Sequence, residues 1–134
     1  MNGTSDSVGR GRQVLVVEDN DRSRRLARDL LELNGFDVVD VDTAEAGLEV
    51  ARRCAPALVL LDIQLPGMDG VTALQELRAD PATRGIPAIA VTAFAMQGDE
   101  ERFLAAGFDA YISKPIDVRT FAARLQAVLE ADRP

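Results

Sequence analysis

The sequence predicts an α/β fold, with a doubly wound, five-stranded parallel sheet and five helices. Three continuously apolar runs, at 14–17, 58–61 and 88–91, are typical of strands that are covered on both faces. Between these runs lie segments whose apolar residues recur at helical spacing. Strands that alternate with helices in this way form a parallel sheet with right-handed crossovers.

The first half of the chain contains two strand–helix units. One face of the first predicted helix carries leucines at helical spacing: Leu26, Leu30 and Leu33. Gly35 ends this helix, because glycine readily adopts the left-handed conformation that follows a helix, and Thr43 is suited to cap the next one. These signals predict a strand at 13–17, a helix at about 22–33, a strand at 37–41 and a second helix running to about 54.

The second half contains three further units. Apolar residues share one face of the third helix (Val71, Leu74 and Leu77) and one face of the last helix (Val118, Phe121, Leu125 and Val128). Gly107 ends the fourth helix and Asp117 caps the last one. These signals predict strands at 57–61, 88–91 and 110–113, a third helix after a loop at 63–69, a fourth helix at 97–106 and a last helix after 117.

The polarity of the strands predicts their order in the sheet. The second strand carries Asp37 and Asp40, and the fifth is short, so both suit the edges. This favours the order 2-1-3-4-5, the flavodoxin-like arrangement, in which ligands bind at the switch point between the first and third strands. We expect one domain at 13–132, preceded at 1–12 by a disordered tail that is rich in Gly, Ser and Arg.

Composition disfavours several classes of function. The net charge is −7, from 15 basic and 22 acidic residues, and nucleic-acid binding needs a cationic surface instead. No apolar stretch is long enough to span a membrane. The single cysteine, Cys54, permits no internal disulfide and is interpreted as structural, so we expect a cytoplasmic protein. The chain has no histidine and is therefore neither a histidine kinase nor a histidine phosphotransfer protein itself.

Polar residues follow four of the predicted strands, at the edge where parallel sheets bind ligands. They are Glu18 and Asp19 after the first strand, Asp62 after the third, Thr92 after the fourth and Lys114 after the fifth. Ligands that offer only oxygen favour Mg²⁺, with Asp19 and Asp62 as direct ligands and Glu18 acting through water. Asp62 is a candidate nucleophile for phosphoryl transfer, with Lys114 and Thr92 stabilising the charge on the phosphoryl oxygens.

Each of these residues has a simpler interpretation when taken alone. The acidic segment at 18–21 can cap the first helix, Lys114 can be a solvated surface lysine, and Tyr111 can merely pack at a strand edge. A flavin mononucleotide carrier would share the fold, but the acids after the first strand would repel its phosphate. A haloacid-dehalogenase-type phosphatase would need a second aspartate where this chain has Gln64. A purely structural module would be expected to lack part of the set, and no member is missing.

The sequence closely resembles a response-regulator receiver domain over residues 13–129. The matching residues are Glu18-Asp19-Asn20, the segment 61–70 around Asp62, Thr92-Ala93, Tyr111 and Ser113-Lys114-Pro115. The segments 92–100 and 113–117 are most similar to single-domain regulators of the DivK type and to receivers attached to hybrid kinases.

The resemblance implies a phosphoacceptor switch of a two-component phosphorelay, not an enzyme with a separate substrate. Asp62 would accept a phosphoryl group from the phosphohistidine of a histidine kinase or a histidine phosphotransfer protein, and catalysis would be limited to its own Mg²⁺-dependent phosphorylation and dephosphorylation. Thr92 would then move together with Tyr111 as the switch. The implied Mg²⁺ site consists of Asp19, Asp62, the backbone carbonyl of Gln64 and, outside the direct ligands, Glu18.

Three further expectations concern details of the site. The resemblance implies a cis peptide bond between Lys114 and Pro115. Glu18 is longer than the aspartate that is more common at this position, which is expected to shift the water around the metal. Phe94 is bulky and apolar, and is expected to change how readily water reaches the phosphoryl group.

Four arginines lie within about two turns of the first helix: Arg22, Arg24, Arg25 and Arg28. Spacings of three and four residues place them on neighbouring faces. They form either a solvated basic face or a docking surface for an acidic or amphipathic phosphotransfer helix bundle. The resemblance supports docking at the first helix, and assigns the fourth helix, fifth strand and fifth helix to contact with a downstream protein target.

Overall fold

The computed structural model describes residues 11–93 and 98–131. Its elements are β1 (Gln13–Val17), α1 (Asp21–Leu33), β2 (Asp37–Val41), α2 (Ala44–Cys54), β3 (Leu58–Asp62), α3 (Gly70–Ala79), β4 (Ala88–Thr92), α4 (Asp99–Ala106), β5 (Ala110–Ser113) and α5 (Val118–Glu130). The five strands form one parallel sheet in the order β2-β1-β3-β4-β5, which confirms the predicted fold class and strand order. Within the two described ranges, no helix has the length and apolar character needed to cross a bilayer.

Helices cover both faces of the sheet. Residues of β1 alternate between the two sides, with Val14 and Val16 packing against α1 and α5, and Leu15 and Val17 packing against α2, α3 and α4. β3 and β4 are buried along their whole length. Burial on both faces is the physical reason that these strands are continuously apolar in the sequence.

The strand register brings the polar strand ends to one edge of the sheet. Asp62, the last residue of β3, pairs with Val91 of β4. Thr92, the last residue of β4, pairs in turn with Ser113 of β5. Glu18 directly follows β1, which is the neighbour of β3 on the other side. Side chains from three parts of the sequence therefore meet where the sheet ends.

One helix presents a different face to the sheet from the one predicted, and a second differs only at its first residue. α1 buries three residues: Ala27, Leu30 and Leu31. Leu33 is instead 79% exposed and Leu26 is 39% exposed, so the predicted leucine face was wrong at two of its three positions. One residue of offset rotates a helix by about 100°, and tertiary packing, not leucine content, selects the face. Val118 is also 59% exposed, because it is the first residue of α5 and precedes the turns that pack against the sheet.

Element bounds differ from the prediction by about one residue. α1 begins at Asp21 because the side chain of Asn20 accepts a hydrogen bond from the amide of Ser23 at 3.0 Å and caps the helix. β3 extends to Asp62, which still pairs with β4. The predicted start of the fourth helix at 97, Phe94, and the predicted tail apart from residues 11 and 12 lie outside the described residues.

Gly70 is required where α3 meets the end of β3. A Cβ atom at this position would lie 2.4 Å from the carbonyl oxygen of Asp62 and 2.7 Å from the Cα atom of Ile63. The amide of Gly70 also donates a hydrogen bond to the carbonyl of Ile63 at 2.8 Å. Because backbone atoms cannot move aside, only glycine fits, and α3 begins in direct contact with the strand end that carries Asp62.

Arg78 joins three elements at the opposite edge of the sheet. Its guanidinium, at the end of α3, donates hydrogen bonds to the carbonyls of Ile86, before β4, at 2.7 Å and of Gly107, after α4, at 3.1 Å. It also pairs with Asp109 at 3.3 Å, and the same Asp109 oxygen accepts from the amide of Ala88 at 2.9 Å. The C-terminal end of α4 is therefore bonded to its neighbours.

Candidate functional site

Three carboxylates converge at the edge of the sheet between β1 and β3. Glu18, Asp19 and Asp62 each offer an oxygen atom, and these atoms all lie within 4.8 Å of one another. Glu18 and Asp62 are buried, whereas Asp19 is exposed, so the cluster opens to solvent on one side. Hard divalent cations bind to sets of this kind, made only of oxygen ligands. The residues present therefore fit the Mg²⁺ that was predicted for this edge.

Lys114 supplies positive charge to the two buried carboxylates. Its Nζ atom lies 2.5 Å from Oε1 of Glu18 and 3.2 Å from Oδ2 of Asp62. The backbone holds this side chain in place, because the amide of Lys114 donates a hydrogen bond to the carbonyl of Thr92 at 2.7 Å. The bond between Lys114 and Pro115 is cis, as the resemblance implied.

Burial and proximity change the proton affinity of two groups in the cluster. The pKa of Glu18 is raised to about 7, mainly because the group is buried; the hydrogen bond with the Asp62 carboxyl also raises this pKa, whereas the contact with Lys114 lowers it. Burial alone lowers the pKa of Lys114, but the hydrogen bond to Glu18 and the charge of Asp62 outweigh burial and leave that pKa raised. The lysine is therefore charged at neutral pH, and because it faces three acids, the cluster keeps a net negative charge.

Local turns fix the two buried carboxylates. The amide of Asn20 donates a hydrogen bond to Oε2 of Glu18 at 3.0 Å, and the amide of Gln64 donates to Oδ1 of Asp62 at 3.0 Å. In both turns the acid binds the amide two residues later, an arrangement that carboxylates at strand ends readily form. Each carboxylate thus has one oxygen held by the backbone and one beside Lys114.

Thr92 and Tyr111 lie further along the same edge. Thr92 is buried at the end of β4, one strand from Asp62. Tyr111 lies in β5, and its ring contacts Phe103 of α4 with the two centroids 5.8 Å apart. Tyr111 is thus in contact with α4 and outside the acidic cluster. The structure brings Glu18, Asp19, Asp62 and Lys114 together, with Thr92 linked to them through the backbone of Lys114.

The four arginines of α1 separate into two pairs. Arg22 and Arg25 are exposed. Arg24 and Arg28 instead form ion pairs with Asp40 of β2. Asp40 was not among the predicted site residues. The signal in the sequence was the spacing of four between Arg24 and Arg28, which places both on one face, but the sequence does not show which acid that face meets.

An apolar cavity of about 160 Å³ lies beside the acidic cluster, between α1 and the segment that joins β5 to α5. Leu26, Ala27, Pro115 and Ile116 line it, and Glu18, Asp62 and Lys114 are at its polar end. Leu26, which is partly exposed, borders this opening. The site therefore has an apolar margin on the side where the exposed arginines lie.

Comparisons with known proteins agree on one family. The chain matches the response regulator receiver domain over residues 14–126. It is 44% identical over 118 residues to the polar-differentiation response regulator DivK of Brucella melitensis, covering 88% of this chain and 96% of that protein. The receiver domain of sensor histidine kinase PA1611 from Pseudomonas aeruginosa, whose structure has a magnesium ion coordinated in the active site cleft, is 34% identical with a TM-score of 0.83, covering 90% of this chain and 99% of that one. A sensor protein from Polaromonas is 30% identical, also with a TM-score of 0.83, covering 90% and 97%.

Proposed function

The chain belongs to the response regulator receiver domain family, whose members are phosphoacceptors in two-component signalling, and from this premise we propose that Asp62 receives the phosphoryl group. The observation that carries the assignment is the position of Asp62, whose carboxylate lies within the three-acid cluster and 3.2 Å from Nζ of Lys114. The donor is the phosphohistidine of a histidine kinase or a histidine phosphotransfer protein. A cytoplasmic location goes with this role.

The transfer needs positioning and charge stabilisation more than covalent chemistry from the surrounding residues. One carboxylate oxygen of Asp62 forms a bond to phosphorus, the bond from phosphorus to the histidine nitrogen breaks, and that nitrogen keeps the electron pair. Lys114 moves from the carboxylates to a phosphoryl oxygen, and the hydroxyl of Thr92 donates to another. Receiver domains are signalling proteins, and in this proposal the only reactions catalysed are gain and loss of this phosphoryl group.

The metal ligands in this proposal are Asp19, Asp62 and the backbone carbonyl of Gln64, with Glu18 acting through water. Bound Mg²⁺ supplies positive charge next to the phosphoryl oxygens. The three acids and one lysine of the cluster support this, because such a cluster is stabilised by a further cation. Asp19 is exposed and so accessible to an ion arriving from solvent.

The switch proposed from Thr92 and Tyr111 is supported by packing. Tyr111 contacts Phe103, the residue through which α4 is buried against the sheet. A movement of Thr92 towards the phosphoryl group would change the space beside Tyr111 and, through Phe103, the position of α4. The surface formed by α4, β5 and α5 would then change its contacts with a downstream protein target.

Incubation with acetyl phosphate and Mg²⁺ tests the function directly. We expect intact mass spectrometry to show a gain of one phosphoryl group, and excess EDTA to prevent it. Acetylation of Lys114, the only lysine in the chain, would add a smaller mass and is distinguished in the same spectrum. No phosphoryl gain from either acetyl phosphate or a phosphorylated kinase would contradict the proposal, and normal gain in EDTA would contradict the role of the metal.

Reversing the charge of Arg25 is expected to slow phosphotransfer from a kinase several-fold and to increase its sensitivity to salt. Arg25 is exposed on α1, three residues after Arg22, which lines the apolar cavity, and complementary charges accelerate association between proteins. Labelling by acetyl phosphate should be nearly unchanged in Arg25→Glu, because this small donor needs no docking surface. The measurement is the rate of phosphoryl transfer at two salt concentrations.

Arg52→Glu provides the matched control for docking. Arg52 is an exposed arginine in the last turn of α2, on the other face of the sheet, and its reversal changes the net charge by the same amount. If both variants slow the kinase reaction equally, overall charge and not the α1 surface accounts for the effect.

A further inference from the structure

We propose that Arg24 is a positioning residue for the metal site, and that it acts by fixing the peptide group between Glu18 and Asp19. This inference rests on the proposed function of the acidic cluster. All three guanidinium nitrogens of Arg24 have acceptors. Nη1 donates to the backbone carbonyl of Glu18 at 3.1 Å, Nη2 to Oδ1 of Asp21 at 2.7 Å and Nε to Oδ2 of Asp40 at 3.1 Å.

These three acceptors belong to three different parts of the fold. Glu18 ends the segment from β1, Asp21 is the first residue of α1, and Asp40 lies in β2. Arg24 is itself only 22% exposed and packs against this junction. A planar guanidinium presents its donors in a fixed geometry, so the side chain holds the three parts in one relative position.

The contact with the carbonyl of Glu18 matters most for the metal site. The amide of Glu18 donates to the carbonyl of Val41 at 3.0 Å, so one side of this residue is tied to β2. The other side is the peptide group that joins Glu18 to Asp19, and its oxygen is the atom that Arg24 binds. Because the direction of the Asp19 side chain depends on that peptide group, Arg24 orients a carboxylate that it does not touch.

Positioning and charge have opposite effects on metal binding. If Arg24 acted only as a positive charge near the cluster, its removal would strengthen the binding of Mg²⁺, because cations repel. If it holds the peptide group, its removal releases the segment with two of the three acids, which repel each other, and weakens binding. The sign of the change therefore distinguishes the two roles.

Arg28 is the matched control. It also pairs with Asp40, and it pairs with Glu32 at 3.3 Å, but its contacts lie between α1 and β2 and not on the segment that carries Glu18 and Asp19. Arg28→Met thus removes the same charge and the same Asp40 partner as Arg24→Met. Arg24→Lys keeps the charge, but one ammonium cannot reach all three acceptors in the geometry of a guanidinium.

The test is a titration of the unphosphorylated full chain with Mg²⁺, in which amide chemical shifts report the binding. We expect Arg24→Met to weaken Mg²⁺ binding about 10-fold, the lower end of the range for residues that orient metal ligands. Arg24→Lys should weaken it by a similar factor, and Arg28→Met should bind within about twofold of wild type. At saturating Mg²⁺, labelling of Arg24→Met by acetyl phosphate should recover towards the wild-type rate, because the defect lies in metal affinity.

Three outcomes would overturn the inference. The first is unchanged or tighter Mg²⁺ binding in Arg24→Met. The second is wild-type Mg²⁺ affinity in Arg24→Lys, and the third is a loss of Mg²⁺ affinity in Arg28→Met as large as that in Arg24→Met. If Arg24→Met does not fold, as thermal unfolding would show, Arg24→Lys decides the question. Failure of wild type to bind Mg²⁺ would instead contradict the proposed metal site, whatever the arginine variants do.

Discussion

Asp62→Asn is expected to reduce the phosphoryl gain from acetyl phosphate and Mg²⁺ to the detection limit. The side chain of asparagine has nearly the same size, but its neutral amide is not a nucleophile for phosphorus. It also removes one of the three carboxylates that make up the acidic cluster. The measurement is intact mass spectrometry of the variant beside wild type under identical conditions.

Asp42→Asn is the control for this experiment. Asp42 directly follows β2, is exposed, and is not a member of the three-acid cluster, so it shares the edge of the sheet without sharing the site. Its labelling should equal that of wild type. A phosphoryl gain in Asp62→Asn as large as in wild type would show that another residue is the acceptor, and the assignment would have to be withdrawn.

Lys114→Met is expected to lower the free energy of unfolding. It is also expected to abolish the conformational change at Thr92 and Tyr111 that would follow phosphorylation. The substitution leaves Glu18 and Asp62, both buried, in contact without their cation. We expect a loss of about 2 kcal/mol in metal-free buffer, below the 3–5 kcal/mol for removing one partner of a fully buried pair, because this site is open to solvent on one side. Urea denaturation measures the loss, and added Mg²⁺ should restore part of it by supplying positive charge to the same carboxylates.

The functional effect of this variant is a separate readout. Asp62 and its neighbouring acids remain, so the variant should still accept phosphate from a kinase. Without the ammonium group that is proposed to bind a phosphoryl oxygen, the amide shifts of Thr92 and Tyr111 should no longer follow phosphorylation. Amide shifts that match those of phosphorylated wild type would contradict the role of Lys114 in the switch.

Arg119→Met is the control for stability. Arg119 is 89% exposed and pairs with Asp117 at 3.4 Å, and surface pairs of this kind contribute little. Its free energy of unfolding should stay within about 0.5 kcal/mol of wild type. An equal loss in both variants would mean that removal of a positive charge, not the contact with the buried acids, destabilises Lys114→Met.

The sequence predicts the sheet and its site well because both depend on local patterns. Runs of apolar residues locate β1, β3 and β4, and parallel pairing then brings Glu18, Asp62 and Thr92 to one edge whatever the loops do. The cation that accompanies the acids was predictable for the same reason, since Lys114 follows the fifth strand in the same register.

Contacts that depend on how a helix packs were not predictable. The leucine spacing of α1 suggested a buried face that includes Leu33, but packing against the sheet turned this residue to solvent. The same rotation decides which arginines meet β2, and so which of them remain exposed for a partner. Asp40 suggested only an edge strand in the sequence, whereas in the structure it binds Arg24 and Arg28.

The hydrogen bonds of Arg78 restrain one end of α4 and leave the other end free of that restraint. Because Gly107 is bonded to that guanidinium, the C-terminal end of α4 is restrained, and in the proposed switch we expect a rearrangement near Asp62 to tilt the helix. An eight-residue helix is about 12 Å long, so a tilt of about 10° displaces its N-terminal end by about 2 Å and its C-terminal end hardly at all. Under the proposed switch, we therefore expect a partner that binds near Asp99 to detect phosphorylation and one that binds near Ala106 to be insensitive to it.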